Sequence, residues 1–252
     1  MRVSVVTCVS TAIDLLKYST KYLLSNAGTR DFDLIVVTWL ASKDVLVWLN
    51  ERPWIRHVVY NTNSKVGYVP NLRGMINLAF DSGFDLNDRV VFTNTDVVYG
   101  QDWLSELVRW GDNDNWIVNS QHITPIRGGH VITLDLGEPI EGRFDEARFF
   151  EVVKAHRRPG DLEKEEERGG WRNTATMPYL IHKKWWDQCG PWELTGVGRG
   201  LDPPDRRFFQ RCHDAGAEFV MAMGSIVYHH EGVERGRSRP AGAESLPEEG
   251  EL

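Results

Sequence analysis

Cysteine is scarce in this 252-residue chain. The three present, Cys8, Cys189 and Cys212, are odd in number and far apart, with no Cys-x-x-Cys pair. This spacing argues against a disulfide scaffold and against a cysteine-ligated zinc site. No apolar run approaches the roughly eighteen residues a spanning helix needs. The opening apolar stretch gives way to Ser10 and Thr11, too soon for a secretory signal, so the chain is expected to be cytoplasmic. Lysine is rare too, eight residues against 21 arginines. A G+C-rich genome explains that bias as simply as phosphate binding does. The net charge of −7 argues against tight nonspecific binding to nucleic acid, which needs a basic face. No internal repeat is present. Apolar residues at 41 % and charged residues at 26 % are ordinary globular values and exclude a wholly disordered chain.

Up to about residue 120, strand-like and helix-like runs alternate. Apolar, β-branched runs at residues 2–8, 33–39, 55–60, 89–92 and 116–118 read as strands. Between them, Thr11 and Asp14 suggest a capped helix carrying Ile13, Leu16, Leu23 and Leu24, and Ser42 suggests a second cap. Pro70 suits a first helical turn ahead of Leu72, Met75, Ile76 and Ala79. Trp103, Leu104 and Leu107 mark a further helix. This order implies an α/β fold with a mostly parallel sheet covered by helices on both faces. In such sheets a ligand sits beyond the carboxyl ends of the strands.

The pattern changes after residue 121. Residues 122–140 read as a loop or hairpin, 141–155 as an amphipathic helix and 157–170 as a mobile charged surface loop. Residues 177–181 read as a strand, 205–215 as a helix and 218–228 as a last strand. Residues 231–252 read as a disordered tail carrying −3 of the net charge. The expected organisation is therefore a first half at 1–121, a second half of the same domain at 122–230, and the tail.

Three segments carry chemistry. A buried strand ends in Thr93-Asn94-Thr95-Asp96, placing an Asn-x-Asp at a carboxyl edge, where it could ligate a hard cation or simply form a turn. Gly196-Val197-Gly198-Arg199-Gly200 delivers Asp202 and Asp205 to the start of a helix; Asp205 there is also a natural cap. Tyr228-His229-His230 ends the last strand, with the two imidazoles on opposite sides.

In this order the segments resemble those of a family 2 glycosyltransferase with the Rossmann-like GT-A fold, over residues 2–230. Residues 3–8 resemble the family's opening strand, whose end contacts the donor base, which implies Thr7, Cys8 and Val9 as donor contacts. Residues 34–37 and 41–44 resemble its second strand and following loop, implying Thr38 and Asp44; Thr38 stands where the family often has Asp. Residues 71–79 resemble its nucleotide-side helix, in which Arg73 either faces phosphate or is a solvated helix arginine. Residues 92–98 resemble the DXD strand end with Asn94 in place of the first acid, implying Asn94, Thr95 and Asp96 toward the donor. Asp202 or Asp205 resembles the catalytic base, and His229 the late metal ligand.

The resemblance implies an inverting glycosyltransferase that uses a UDP- or GDP-sugar and Mn²⁺ or Mg²⁺. The metal would be held by Asp96, Asn94 and His229, and would offset the charge of the departing diphosphate. The base would take a proton from an acceptor hydroxyl. Trp171 and Arg172, after Gly169-Gly170, suggest a gating loop over the donor. Trp171, Trp185, Trp186 and Trp192 offer either sugar platforms or core. The acceptor is open: a glycan, a protein or modified DNA. Arg143, Arg148, Arg157, Arg158, Arg168 and Arg172 would line a groove for sugar transfer to hydroxymethylated DNA bases. The departures at Thr38, Asn94 and Pro203-Pro204 keep a noncatalytic nucleotide-sugar or carbohydrate-binding domain as the other reading.

Overall fold

The computed structural model describes residues 2–60, 76–77, 79–80, 85–125, 132–192 and 204–230. The elements run β1 (Val3–Val9), α1 (Ile13–Ser25), β2 (Phe32–Trp39), α2 (Lys43–Asn50), β3 (Arg56–Tyr60), β4 (Arg89–Thr93), β5 (Val97–Tyr99), α3 (Trp103–Arg109) and β6 (Trp116–Thr124). They continue as β7 (Ile132–Thr133), α4 (Glu146–His156), β8 (Leu162–Lys164), β9 (Tyr179–His182), α5 (Lys183–Cys189), α6 (Pro204–Asp214) and β10 (Glu218–His229).

One sheet holds all ten strands among the described residues, in the order β3-β2-β1-β4-β9-β6-β10-β5, with β7 on β6 and β8 on β10. Strands β3, β2, β1 and β4 are mutually parallel. Strand β9 is antiparallel to both β4 and β6, and β6 is parallel to β10. Strands β1, β2, β3, β4, β6 and β10 therefore all point one way and end on one edge. The expected parallel set is there, interrupted by β9. The expected boundary after residue 121 falls inside β6, in a sheet that runs through both halves.

Two cores seal the sheet. On one face Leu15, Leu16, Tyr18, Tyr22 and Leu23 of α1 pack with α2, α3 and α4, at the i, i+3, i+4, i+7 spacing of an apolar stripe. On the other, Ile76 and Ala79 pack with Trp185, Trp186 and Cys189 of α5 and Phe208, Phe209 and Cys212 of α6. Ser42 caps α2, accepting from the Val45 N–H, and Asp145 caps α4, accepting from the Arg148 N–H at 3.0 Å. The expected Thr11–Asp14 cap does not form: Ala12 takes the N-cap position of α1, and Asp14 sits in the first turn.

Residues 157–170 form structure rather than the expected mobile loop. Strand β8 pairs with Val220, Met221 and Ala222 of β10. Arg158 and Arg168 converge on Glu163, the latter at 2.7 Å, so the charges in this run neutralise one another in place.

Strand β10 carries a register shift between Ala222 and Ile226. Glu106 of α3 fills the space at the bulge, 4 % exposed. Its carboxylate accepts the Gly160 N–H at 3.0 Å and faces Arg157 at 3.8 Å. Arg157 also donates to the Gly224 carbonyl at 3.0 Å and to Asp102 at 2.8 Å. A Cβ on Gly224 would lie 2.4 Å from a Glu106 carboxylate oxygen and 2.7 Å from its Cγ. Because Glu106 is held by its partners, it has little room to yield. Gly224→Ala should therefore lower stability by about 1–3 kcal/mol, as overpacking does, measured as a drop in urea midpoint with unchanged m.

Candidate metal and donor site

The common edge gathers the ends of β4, β5 and β10. Strand β5 pairs antiparallel with the end of β10, setting Val97 opposite His229. The His230 N–H donates to the Asp96 carbonyl at 3.1 Å. These bonds lay the last residues of β10 across the Asn94–Asp96 turn.

The side chains then converge. His229 Nε2 lies 3.3 Å from Asp96 Oδ1 and 3.5 Å from Asn94 Nδ2. His230 turns the other way, its ring 6.2 Å from Tyr228, as strand alternation requires. This settles which of the two histidines faces Asp96. Asn94 and Asp96 are both buried. Among the described residues Asn94 Oδ1 and Asp96 Oδ1 accept no hydrogen bond; the 3.3 Å approach of His229 to Asp96 has an ion pair's distance without hydrogen-bond geometry.

Buried acceptors left unpaired each cost about 1–3 kcal/mol. The Asp96 oxygen beside His229 Nε2, with the amide oxygen of Asn94, would suit a divalent cation, whose other ligands would come from water or phosphate. Turning the Asn94 amide would bring its oxygen toward His229 Nε2. Among the described residues no three His, Cys, Asp or Glu side chains cluster as a metal site. The donor set therefore depends on the Asn94 amide.

Tyr99 supports the turn from below. Its hydroxyl lies 2.7 Å from Thr93 Oγ1 and donates to the Asn94 carbonyl at 3.4 Å. Burial holds the phenol's proton above its usual range, and the nearby Asp96 charge adds to this.

Sequence reasoning passed over His122, near the carboxyl end of β6. Its ring meets His229 edge-on, with centroids 5.5 Å apart and an interplanar angle of 75°. Its Nε2 contacts the Met177 carbonyl. Burial, with a smaller contribution from His229, holds this imidazole well below its ordinary value of 6.5. The available signal was the polar run Asn119-Ser120-Gln121-His122 at the end of an otherwise apolar strand.

The other sequence candidates are placed unevenly. Thr7, Cys8 and Val9 end β1 with buried side chains; Thr7 pairs with Thr93 and Val9 with Thr38. Thr38 and Thr95 are buried as well. Asp44 is exposed in the first turn of α2. Asp205 is half-buried in the first turn of α6. Burial, then the Asp205 charge, raises the proton affinity of Tyr179 well above normal, and the Tyr179 hydroxyl is buried with no hydrogen-bond partner among the described residues. Tyr179 pairs with Phe92, two residues before Asn94, so α6 brings Asp205 toward the same end of β4. Arg73, Asp202, the 196–200 glycine run and the tail lie outside the described residues.

Trp171 and Arg172 are not brought to this edge. Trp171 is buried against Phe219 and His213, at the start of β10, with Arg172 over its ring at 5.4 Å. Phe219 pairs with Ile117, whereas Tyr228 pairs with Ile123. That separates Trp171 from the metal-side edge by about 20 Å of strand at roughly 3.3 Å per residue. Trp185, Trp186 and Trp192 are also buried, so all four tryptophans are core. The arginines suggested for a DNA groove are largely neutralised. Arg143 pairs with Glu138, Arg148 with Glu151, Arg157 with Asp102, and Arg158 and Arg168 with Glu163.

Nitrogen-15 NMR should therefore find one imidazole that stays neutral, protonated at Nε2, as pH falls through 6.5. Its absence in His122→Gln would assign it, and a normally titrating His122 would contradict the burial.

No family model and no curated protein matches this sequence. Solved structures do match its fold. GalNAc-T7 with UDP, GalNAc and Mn²⁺ aligns with TM-score 0.60 and 11 % identity, over 91 % of this chain and 44 % of its own. The mannosyltransferase PcManGT from Pyrobaculum calidifontis, in complex with GDP-Man and Mn²⁺, aligns at 0.55 and 12 %, over 90 % and 56 %. TarS 1-349 from S. aureus aligns at 0.59 and 13 %, over 91 % and 60 %. The chain thus spans about half the length of these proteins. No helix among the described residues is long and apolar enough to cross a membrane. At such identities the likeness is one of architecture, and the architecture of this chain is that of the GT-A glycosyltransferases.

Proposed function

We propose that this chain is an inverting, metal-dependent glycosyltransferase, of the family 2 type, moving a hexose or related sugar from a UDP- or GDP-sugar to an acceptor hydroxyl. The observation that carries the reading is the meeting of Asn94, Asp96 and His229 at the carboxyl edge, with two buried oxygens that accept no hydrogen bond among the described residues. The solved structures with this fold include ones holding UDP or GDP-Man with Mn²⁺, which supports the same donor class.

Asp96, Asn94 and His229 would hold Mn²⁺ or Mg²⁺. When bound, such an ion supplies charge stabilisation for a diphosphate leaving group. The chain's own residues do the rest. The ends of β1 and β2, through Thr7–Val9 and Thr38, with Asp44 beyond them, border the place for the nucleoside. Arg73 would face phosphate. A carboxylate, Asp205 or Asp202, takes the proton from the acceptor hydroxyl as that oxygen attacks the anomeric carbon. Attack opposite the leaving diphosphate inverts the configuration, through a transition state with oxocarbenium character.

The test is a thermal-shift panel of UDP- and GDP-hexoses, each with Mn²⁺, Mg²⁺ or EDTA. One nucleotide class should raise Tm by several degrees only with a divalent ion. Asp96→Ala should lose that shift while its own Tm stays near the wild type's. A shift that is unchanged in EDTA, or in Asp96→Ala, would overturn the metal-dependent reading. With an acceptor in hand, Asp205→Asn should lower kcat about a hundredfold or more and keep donor binding, if Asp205 is the base. The same result from Asp202→Asn alone would move the role to Asp202.

A further inference from the structure

We propose that His122 is a positioning residue for His229, fixing the imidazole's orientation toward the divalent ion. The inference rests on the metal reading above and extends it to a residue on a different strand. His122 and His229 lie on neighbouring strands, β6 and β10, in parallel register with Val227 opposite His122. His229 is thus the diagonal neighbour two residues along, within reach across the sheet.

Two contacts define the arrangement. The rings meet edge to face at 5.5 Å and 75°, a preferred geometry for aromatic pairs. The His122 Nε2, on a buried residue, faces the Met177 carbonyl. A carbonyl accepts and does not donate, so Nε2 carries the proton and the ring is held in one tautomer. Met177 belongs to the segment that enters β9, and β9 separates β6 from β4. A chain of contacts therefore runs from the Met177 carbonyl through His122 to His229, and from there to Asp96 and Asn94. Outer partners of this kind orient metal-ligating side chains and tune their affinity. Without His122, the His229 ring would lose a packed neighbour on β6 and gain torsional freedom.

The experiment measures Mn²⁺ affinity directly, by electron paramagnetic resonance of free Mn²⁺ over the full chain with no nucleotide. His122→Gln keeps an N–H for Met177 and removes the ring. His122→Phe keeps a ring and removes the N–H. Both should bind Mn²⁺ about tenfold more weakly, with far-UV circular dichroism unchanged, while Asp96→Ala abolishes binding. If Asp96→Ala abolishes binding and both His122 variants stay within twofold of wild type, the positioning role is wrong and the metal site stands. If Asp96→Ala binds Mn²⁺ as wild type does, the metal reading itself fails. A measurement on the unmutated protein covers the case in which a variant misfolds. Saturating Mg²⁺ should shift the ring resonances of both His229 and His122, with His122 still protonated at Nε2. A His122 ring that does not respond overturns the proposal.

Discussion

The pairing of β5 with the end of β10 is the constraint on which the rest of the site depends. Asn94 and Asp96 sit in a turn between two short strands, and His229 is more than 130 residues away in sequence. Val97 opposite His229, and the His230 N–H on the Asp96 carbonyl, join these two parts of the chain. A register slip of one residue would send His229 to the other face and leave His230 toward Asp96. The site is therefore a property of strand register before it is a property of any side chain.

That register is fixed further along the strand. The shift between Ala222 and Ile226 changes how many residues of β10 oppose β6 before the carboxyl edge is reached. Glu106, Arg157 and Gly224 hold the bulge in one form, with a buried carboxylate whose charge is met by arginine. A paired buried charge of this kind is costly to break from one side. It makes a suitable lock for a position that must not drift. At the carboxyl end of β10, the Tyr228 hydroxyl donates to the Gly137 carbonyl at 3.0 Å and tethers the strand beside the metal-side edge.

Much of the fold could be read from pattern. The apolar runs for β1, β2, β4 and β10 are visible because strands buried on both faces read as continuous hydrophobic sequence. The α4 and α6 helices followed from their apolar spacing. The misreadings have physical causes. Residues 157–170 look like a solvated loop because nearly every side chain is charged, yet Arg158, Glu163 and Arg168 satisfy one another and let β8 pair with β10. Trp171 looked like a gate because Gly169 and Gly170 precede it, but Phe219 offers it an apolar surface at the opposite end of the sheet. The arginines looked like an anion-binding set until their acidic partners, many several residues away or on other elements, came into contact.

The sequence by itself determined the alternating α/β order, the Asn-x-Asp at the end of a buried strand and a histidine at the end of the last one. These are local facts, written in the periodicity of side chains and in polar residues that interrupt it. Only the tertiary structure decided that His229 and not His230 faces Asp96, that the His122 ring packs against His229, and that Trp171 does not approach. The reason is that each of these depends on which strands are neighbours and in what register. Strand β9 enters between β4 and β6 from far along the chain, and no local pattern encodes a hydrogen-bond partner that lies on a strand so distant in sequence.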